Sequence, residues 1–376
     1  MAGNVPPQGY VVWGSYDTGK PRVRLLLEAL RQKCGSVSEV NIEIWRGIED
    51  KSVAGWTRII GALLRLFIGY PHALYRLARM PRGQAIVLPY PAIIDIFVIW
   101  PLARLRGQKL IFDAFISFYD TIVCDRKRVR QNGFLARILW YIERLALRLA
   151  DTILVDTDEH GRYFSTMFSI PQSKFITVLV GAEPLFWRAR DCELSLPKLP
   201  VEFPSRYVLF YGQFIPLHGV ETILQAVSAT RDDDIHWFIV GSGQEEHLAR
   251  DFIALHAPTN MTWLPWVDYE LLPDLIRHAE VCLGIFGTSD KAARVIPNKM
   301  FQILAAGGTI ITRDSPAVAE LAQQFPDSIK LVPAGDADTL AAAARDISNP
   351  LPLPISARDM LSPYYGVDRL IQKFGV

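Results

Sequence analysis

Polar side chains that could bind or activate a substrate follow apolar runs in this chain of 376 residues. Asp113 comes directly after the apolar residues 110–112, and Asp120 lies in the loop beyond it. A carboxylate at the end of a buried strand can accept hydrogen bonds from substrate hydroxyls or act as a general base. Asp120, followed by Thr121, is equally suited to capping a helix. Asp113 is therefore a candidate catalytic residue, and Asp120 is a second candidate with capping as its alternative role.

Glycine-bearing loops follow several other apolar runs, and glycine lets a backbone approach a ligand closely. Their glycines include Gly14, Gly212, Gly241 and Gly243. The first loop, residues 14–22, also carries Asp17, Lys20 and Arg22 into a predicted helix, whose N-terminal amides could bind phosphate. It is not a P-loop, because proline follows the lysine where a P-loop has Ser or Thr. A tight turn between a strand and a helix is the alternative reason for its glycines.

The longest loop, residues 284–299, is rich in glycine and cations and runs into a helix. It carries Lys291, Arg294, Asn298 and Lys299. Three cations near a helix N-terminus suit a diphosphate. Surface cations on a plain connection are the alternative, but their clustering in an otherwise acidic half of the chain favours a binding site.

The elements that position these loops alternate between strand and helix patterns. We predict strands over residues 10–13, 40–45, 85–88, 110–112, 152–155, 207–211, 236–240, 281–285 and 309–312. Strands that alternate with helices predict α/β domains with doubly wound parallel sheets. We expect a first domain over residues 1–183, a proline-rich linker over 184–204, a second domain over 205–360, and a final helix over 361–376 that crosses back to the first. Ligands of such folds bind at the carboxyl ends of strands, so a cleft between facing domains is the expected site.

Composition indicates a folded globular protein, since half of the residues are apolar and the net charge is only +1. The cysteines, Cys34, Cys124, Cys192 and Cys282, form no C-x-x-C pair, which argues against a disulfide framework or a zinc site. We see no secretory signal pattern and no run long enough to span a membrane. These features predict a cytoplasmic protein without a bound metal.

The charge is divided unevenly along the chain. Residues 1–150 contain 22 Lys and Arg against 11 Asp and Glu, whereas residues 151–376 contain 18 against 28. Residues 55–82 combine five arginines with an apolar stripe and no acid, as an interfacial helix does. The predicted membrane contacts are Trp56, Arg58, Arg65, Phe67, Arg76 and Arg79. A core helix with a solvated basic face is the alternative. No nucleic-acid-binding motif accompanies the charge, so we expect an anionic membrane surface, and not a nucleic acid, as the partner.

Taken together, the loops resemble those of the retaining glycosyltransferases of family four, which have the GT-B fold. Residues 212–219 read G-Q-F-I-P-L-H-G, where that family commonly has G-R-L/F-x-x-x-K-G. Residues 240–243 read V-G-S-G, residues 297–299 match the family's P-x-K, and residues 305–307 match its A-x-G. Residues 180–183, V-G-A-E, stand where the family has N-G-V-D. The resemblance implies a nucleotide-sugar donor in the second domain and an acceptor in the first.

The chain departs from the family at four positions of the implied donor site. Gln213 and His218 stand where the family has Arg and Lys, and Arg294 and Gln302 stand where it has two acids. The resemblance then implies that Lys291, Arg294, Lys299 and a protonated His218 meet the diphosphate charge. Gln302 can still hydrogen-bond ribose hydroxyls.

These observations predict a membrane-associated glycosyltransferase of cell-surface polysaccharide or glycolipid synthesis, peripheral on the inner face of the membrane. It would move a hexose from a nucleotide diphosphate sugar to a hydroxyl of a lipid or lipid-linked glycan. A UDP-sugar is the favoured donor and a GDP-sugar the next. The resemblance implies a retaining reaction, and no metal cofactor is expected. One alternative is a nucleotide-sugar epimerase of the same fold. The other is a catalytically silent protein that binds a membrane or an enzyme partner, which the replaced residues favour.

Overall fold

The computed structural model describes residues 9–44, 56–125, 129–191, 206–346 and 363–374, together with residues 201, 204 and 361. The chain divides into two compact units, residues 1–180 with 363–376, and residues 181–362. Each unit has a six-stranded sheet whose described pairings are all parallel. Helices cover these sheets, so the predicted α/β class with two doubly wound parallel sheets is confirmed.

The sheet of the first unit has short strands that are buried where they are central. Its strands are β1 (Tyr10–Gly14), β2 (Val37–Asn41), β3 (Ala85–Leu88), β4 (Leu110–Asp113), β5 (Thr152–Val155) and β6 (Phe175–Thr177). Their order across the sheet is β2-β1-β3-β4-β5-β6. The four inner strands are buried at every position, as a parallel sheet with helices on both faces requires.

The helices of the first unit divide between the two faces of its sheet. They are α1 (Pro21–Lys33), α2 (Trp56–Arg79), α3 (Ile93–Leu105), α4 (Phe134–Leu149), α5 (Asp158–Phe168) and the last helix of the chain, α14 (Pro363–Phe374). Successive strand residues point to opposite faces. Val11 and Trp13 pack under α2 to α5, whereas Tyr10 and Val12 pack under α1 and α14.

The order in which the chain adds strands to the sheet of the second unit reverses between two central strands. Its strands are β7 (Tyr207–Tyr211), β8 (His236–Val240), β9 (Met261–Leu264), β10 (Val281–Leu283), β11 (Ile310–Arg313) and β12 (Ile329–Val332). Their order is β12-β11-β10-β7-β8-β9. The chain runs from β7 to one edge and then returns to β10 on the other side of β7. The carboxyl ends of β7 and β10 therefore flank the switch point of this sheet.

The helices of the second unit connect these strands. They are α6 (Pro184–Asp191), α7 (Val220–Ala229), α8 (Glu246–His256), α9 (Leu272–His278), α10 (Asp290–Arg294), α11 (Asn298–Ala306), α12 (Pro316–Gln324) and α13 (Ala337–Arg345). Helix α11 follows β10 after the short helix α10, and eight of its nine residues are buried. It thereby places its N-terminus beside the switch point.

Helix α6 corrects the predicted linker over residues 184–204. Pro184 stands at its first position, where proline suits a helix start because that amide needs no partner within the helix. Phe186 is fully buried, and α6 packs against α9 and α11. The four prolines of the segment suggested an irregular connection, but this first part of it belongs to the second unit. Residues 192–200, 202, 203 and 205 lie outside the described residues.

Candidate functional site

The glycine loops of the second unit meet at the switch point. The Gly212 amide donates to the Val240 carbonyl oxygen at 2.9 Å, and a Cβ added to Gly241 would lie 2.0 Å from the Gly212 carbonyl oxygen. A Cβ on Gly243 would lie 2.9 Å from the Phe214 carbonyl oxygen. These glycines, which follow β7 and β8, let backbone segments pass each other closely. They shape the edge of the sheet at which a ligand can approach.

His218 lies in the loop after β7 and is buried. Its Nδ1 is hydrogen-bonded to the Gln213 carbonyl oxygen, so Nδ1 carries the proton and donates it. Burial and then the neighbouring Lys299 hold the pKa of His218 well below its usual value. The ring is therefore neutral at pH 7. The prediction that a protonated His218 meets phosphate charge is wrong, since desolvation opposes that proton. The Gln213 side chain is exposed.

Lys299 is a buried cation with few polar contacts. Only 6 % of the residue is exposed, and its Nζ donates to the Gly284 carbonyl oxygen at 3.2 Å. The Nζ also lies 4.0 Å from the centre of the Phe210 ring, a cation–π contact. Burial lowers the pKa of Lys299 to about 7. Among the described residues no ion pair joins it to a carboxylate, so an arriving anion would complete its surroundings.

The first turn of α11 adds amide donors beside this lysine. Pro297 is the N-cap residue and makes no side-chain cap, and of the amides in this turn that of Met300 donates to the Pro297 carbonyl oxygen at 2.9 Å. Half-buried Lys291 and Arg294 belong to the short helix α10, which precedes α11. Buried Arg313, at the end of β11, donates to the carbonyl oxygens of residues 287 and 289 and fixes this loop. Sequence reasoning missed Arg313, whose only signal is a cation ending an apolar run.

Gln302 lies one turn along α11 from Lys299 and belongs to a buried polar cluster. Its Nε2 donates to the Tyr269 hydroxyl at 2.8 Å and to Glu183 Oε2 at 3.2 Å. The Tyr269 hydroxyl donates to Glu183 Oε1 at 2.9 Å. Behind them, the Tyr211 hydroxyl donates to Gln302 Oε1 at 3.2 Å. The predicted site residues Gly212, His218, Lys299 and Gln302 thus lie around one end of α11. Glu183 was noted only as part of a motif, and Tyr269 was missed.

The loop after β1 in the first unit is organised around Asp95. A Cβ on Gly14 would lie 2.5 Å from Asp95 Oδ2, so the glycine leaves space for this carboxylate. Asp95 accepts hydrogen bonds from the Ser15 amide and hydroxyl and from the Tyr70 hydroxyl, and burial raises its pKa to about 6. Asp17 accepts from the Gly19 amide and forms the turn, and Lys20 is exposed at the start of α1. The role of Gly14 here is to accommodate Asp95.

Asp113 and Arg22 form a buried ion pair between β4 and α1. Arg22 Nη2 and Asp113 Oδ1 are 2.8 Å apart, and both side chains are at most 1 % exposed. Arg22 Nε also donates to Asp113 Oδ1 at 3.2 Å, and Nη1 donates to the Val178 carbonyl oxygen. The sequence predicted separate roles for these residues, Asp113 in catalysis and Arg22 in a loop that could bind phosphate. The structure joins them, and the guanidinium occupies the carboxylate that was expected to face a substrate.

Asp120 is buried and accepts a hydrogen bond from the Tyr163 hydroxyl at 3.0 Å. It begins a single π-helical turn, Asp120–Asp125, so a structural role for it is visible. The loop before it is held by Glu143 of α4, which accepts hydrogen bonds from the Ser117 hydroxyl and from the amides of residues 118 and 119. Burial raises the pKa of Glu143 to about 7. Glu143 was missed because its partners lie 24 to 26 residues away.

A second buried pair, missed by the sequence analysis, follows β5. His160 Nδ1 and Asp156 Oδ1 are 2.7 Å apart, and both residues are buried. They lie four residues apart at the start of α5, where an acid is favoured by the helix dipole. The run V-D-T-D-E-H at residues 155–160 was the available signal.

The predicted membrane-contact residues lie on α2, whose outer surface is partly apolar. Phe67 is 82 % exposed, and Arg65 and Arg76 are also exposed. Arg79 stacks over the Tyr75 ring at 5.0 Å. The side chains of Trp56 and Arg58 lie outside the described residues. Further large apolar side chains are exposed on α3 and α4, on the same face of the sheet: Ile94, Leu105, Phe134, Leu135, Tyr141, Ile142 and Leu145.

None of the described helices combines the length and the apolar composition needed to cross a bilayer. No group of three or more His, Cys, Asp or Glu side chains within the described ranges is arranged to hold a metal ion.

The chain is similar to known glycosyltransferases in sequence and in fold. Residues 205–349 match the family model "Glycosyl transferases group 1". A 164-residue segment is 24 % identical to the putative colanic acid biosynthesis glycosyl transferase WcaI of Escherichia coli K12. That match covers 43 % of this chain and 40 % of the curated relative, so less than half of the relative's length is represented.

Two solved structures share the fold over nearly their whole length. The lipopolysaccharide outer core galactosyltransferase WaaB, in its apo form, has a TM-score of 0.59 at 11 % identity, covering 97 % of this chain and 99 % of that one. HepE of Anabaena, crystallised with UDP and glucose, has a TM-score of 0.58 at 10 % identity, covering 98 % of both chains. The chain thus has the GT-B fold, and its residues 205–349 are similar to the group 1 glycosyltransferases.

Proposed function

We propose that this protein is a glycosyltransferase that transfers a hexose from a nucleotide diphosphate sugar to a hydroxyl group. A UDP-sugar is the favoured donor and a GDP-sugar the next. The family match of residues 205–349 supports transfer, and the complex of HepE with UDP and glucose supports a donor of this class. The match to a colanic acid protein and the fold of WaaB support an acceptor that is a lipid or lipid-linked glycan of cell-surface polysaccharide or glycolipid synthesis.

The observation that carries the proposal is the buried ammonium of Lys299 beside the first turn of α11. A buried charge without a counter-charge is costly, and an anion that reaches it removes this cost. Uncapped amides at the start of α11 add further donors for phosphate oxygens. Lys291 and Arg294 on α10, the short helix just before α11 in the chain, would supply additional positive charge. Stabilising the charge that develops on the leaving diphosphate is the form of catalysis that such a site supplies.

This assignment explains how the chain manages without the family's Arg and Lys at Gln213 and His218. The cations lie on α10 and α11 instead, so the diphosphate is met by Lys291, Arg294 and Lys299, and no metal cofactor is needed. We expect retention of configuration at the transferred sugar, as the family resemblance implies. The acceptor side remains a prediction for Asp17, Lys20 and Arg22 of the first loop, and a catalytic role remains one for Asp113 and Asp120.

We propose further that the first unit binds the inner face of an anionic membrane peripherally. The apolar side chains exposed on α2, α3 and α4 lie on one face of its sheet, and Phe67, Leu105 and Phe134 are each more than three-quarters exposed. Exposed arginines accompany them, including Arg65 and Arg76 on α2 and Arg137 and Arg148 on α4. Apolar side chains that enter the acyl boundary beside arginines that meet anionic headgroups bind a membrane surface. A lipid-borne acceptor would then be delivered at that surface.

Thermal shifts with UDP, GDP, ADP and CMP, each with and without magnesium, test the donor assignment. We expect one diphosphate to stabilise the protein and magnesium to leave that shift unchanged. A radiolabelled donor sugar and a lipid extract then test transfer. Absence of a shift with every nucleotide would instead favour the silent binding protein, and conversion of the donor without an acceptor would favour the epimerase.

The variant Lys299→Met tests whether the buried ammonium of Lys299 binds the nucleotide. We expect the nucleotide affinity to fall about 10- to 150-fold, the range of charge-assisted hydrogen bonds worth about 1.5–3 kcal/mol. The variant without nucleotide should be no less stable than the wild type, because it no longer buries a charge. Lys330→Met, at an exposed lysine of β12 in the same unit, is the matched control and should bind normally. Equal affinities of both variants would remove Lys299 from the site.

A further inference from the structure

The buried pair of Asp156 and His160 in the first unit has the geometry of a proton acceptor and its support. His160 Nδ1 and Asp156 Oδ1 are 2.7 Å apart, and the two side chains are 7 % and 5 % exposed. Because a carboxylate accepts hydrogen bonds and donates none, the proton of this bond lies on Nδ1. In the neutral ring the other nitrogen, Nε2, then carries the lone pair.

The Nε2 atom of His160 reaches the surface of the unit. Within the described part of the chain, the hydrogen bonds of His160 are made by its amide and by Nδ1, and none involves Nε2. Nε2 is also not one of the fully buried polar atoms that lack a partner. The small exposed part of the ring therefore includes Nε2, and a hydroxyl group of a ligand could approach it there.

The orientation of this ring is fixed from three sides. The side-chain oxygen of Thr157, the N-cap residue of α5, accepts a hydrogen bond from the His160 amide at 3.0 Å. The centre of the imidazole lies 4.7 Å from that of the Phe164 ring and 6.3 Å from that of the Tyr163 ring. With Asp156 bonded to Nδ1, the ring cannot turn without losing these contacts. A residue that transfers a proton needs such a fixed position.

The pair lies at the edge of the first sheet where a ligand is expected. Asp156 directly follows β5, and ligands of parallel α/β sheets bind beyond the carboxyl ends of the strands. Tyr163 connects the pair to the loop after β4, because its hydroxyl donates to Asp120 at 3.0 Å while its ring lies beside His160. The predicted catalytic residue Asp120 and the pair therefore belong to neighbouring strand ends.

His218 of the second unit shows why the carboxylate matters. The Nδ1 of His218 is bonded to a carbonyl oxygen, and burial together with Lys299 holds the pKa of His218 well below its usual value. A proton arriving on that ring would be opposed by burial and by the lysine. A proton arriving on His160 would instead create an imidazolium beside Asp156, and a buried carboxylate stabilises such a cation.

We infer that His160 accepts the proton of the acceptor hydroxyl, with Asp156 as its positioning residue. This inference rests on the proposed function, since it needs a sugar acceptor bound to the first unit. The hydroxyl oxygen forms a bond to the anomeric carbon of the donor sugar, and the bond from that carbon to the diphosphate breaks. The electron pair leaves with the nucleotide, and the hydroxyl proton moves to Nε2 and later to water. The step sets the destination of the proton and not the face of attack.

The test follows nucleotide release from radiolabelled UDP- and GDP-hexoses between about pH 5 and 8, with a lipid extract or water as the acceptor. His160→Asn should slow release about 10²- to 10⁴-fold, the usual contribution of a general base, and should bind nucleotide as the wild type does. The wild-type rate should fall on the acid side, where histidine takes up a proton, and the residual rate of the variant should lack this fall. Arg162→Met, at an exposed arginine of α5, is the matched control and should keep the wild-type rate.

Other titratable groups remain in both proteins, so the difference between the two pH profiles belongs to His160. Those of the same region are Asp156, Asp158 and Glu159 at the start of α5, Asp120 beside Tyr163, Glu143 of α4, and the pair of Arg22 and Asp113. Asp156→Asn is a second variant that keeps the imidazole. It should lower the rate less than His160→Asn does and move the acid-side fall to lower pH, because the imidazolium has lost its counter-charge.

The outcomes separate the two proposals. A wild type that binds no nucleotide, or that releases none from any donor, overturns the proposed function and this inference with it. If the wild type releases nucleotide and His160→Asn does so at the same rate, the proposed function stands and the role of His160 is overturned. A slower His160→Asn that keeps the acid-side fall, or an Asp156→Asn whose fall stays at the wild-type pH, shows that the pair only supports the fold, which also overturns the inference. Unfolding curves of each variant confirm that the rates come from folded protein.

Discussion

The two units differ in how the buried charged side chains near their strand ends are paired. In the first unit, buried carboxylates have partners within the protein, as Asp113 has Arg22 and Asp156 has His160. In the second unit, the buried Lys299 has a carbonyl oxygen and two aromatic rings as its described contacts. Internal pairs fix loops in place, whereas an uncompensated cation is best satisfied by an external anion. The difference supports the proposal that the second unit binds the charged donor.

The outer surfaces of the units differ as well. In the first unit, exposed apolar side chains cluster on the helices of one face, α2, α3 and α4. In the second unit, the large exposed apolar side chains among the described residues are Leu255, Trp266 and Tyr269, and Tyr269 belongs to the polar cluster. The apolar surface and the excess of basic residues thus occur together in the first unit, which is the combination that an anionic membrane attracts.

The comparison of the buried charges is tested most strongly by Arg22→Met. This change leaves Asp113 buried without its cation, and we expect the free energy of unfolding to fall by about 3–5 kcal/mol in urea titrations. Arg31→Met is the matched control, since Arg31 also lies on α1 but pairs with Glu39 while its side chain is 55 % exposed. The control should cost at most about 1 kcal/mol. Equal losses in the two variants would mean that the buried pair does not fix the first unit.

The pH dependence of stability sharpens the same contrast, because the two units are expected to respond in opposite directions. The pKa of Glu143 is raised from 4.5 to about 7. Its contribution to the free energy of unfolding is therefore present below pH 4.5 and is lost as the pH rises towards 7. The pKa of Lys299 is lowered from 10.5 to about 7. Its contribution to the free energy of unfolding is therefore present above pH 10.5 and is lost as the pH falls towards 7. Each effect amounts to at most about 1.4 kcal/mol per pH unit within its window.

Stability measured against pH in Glu143→Gln and Lys299→Met separates these contributions. The difference between wild type and Glu143→Gln should change between about pH 4.5 and 7, and that for Lys299→Met between about pH 7 and 10.5. Nucleotide affinity in the wild type should also fall above pH 7 by up to about tenfold per pH unit, since the anion binds the protonated lysine. A flat wild-type curve that coincides with both variants would contradict the pKa shifts of both groups.

The sequence predicted the centre of each sheet better than its edges. All eight inner strands were predicted within two residues of their bounds, because burial on both faces demands an unbroken apolar run. The edge strands β6, β9 and β12 were missed. Strand β12 carries an exposed lysine at its second position, and β9 is only partly buried, so neither has a continuous apolar pattern. Edge strands need burial on fewer sides, and their sequences are correspondingly weaker signals.

The candidate site was predictable where its residues share one loop and not where distant segments meet. Lys299 followed from a cation-rich loop that runs into a helix, and Gln302 followed from the family resemblance. Glu183 lies 119 residues from Gln302, and no spacing in the sequence joins them. Arg22 lies 91 residues from Asp113, and only the sheet brings them together. The protonation of His218 was predicted wrongly because its burial is a property of the packed loop. Topology, and not local pattern, decides these contacts.

The smallest expected effect concerns the apolar surface of the first unit. Phe134 on α4 is 77 % exposed, and Phe134→Ser removes an apolar side chain whose full burial is worth about 1.5–3 kcal/mol. Because an interfacial side chain is only partly buried, we expect binding to vesicles of anionic lipid to weaken about tenfold or less in sedimentation assays, with fold and nucleotide affinity unchanged. Leu255→Ser is the matched control on α8 of the second unit, where Leu255 is 79 % exposed. If both variants bind vesicles as the wild type does, α4 does not enter the membrane. If vesicle binding weakens equally in both variants, the apolar surface of the first unit has no special role in that binding. Weakening confined to Phe134→Ser would place the membrane contact on the first unit, which also carries the excess of basic residues. The first unit would then bind lipid, and the second unit would bind the charged donor.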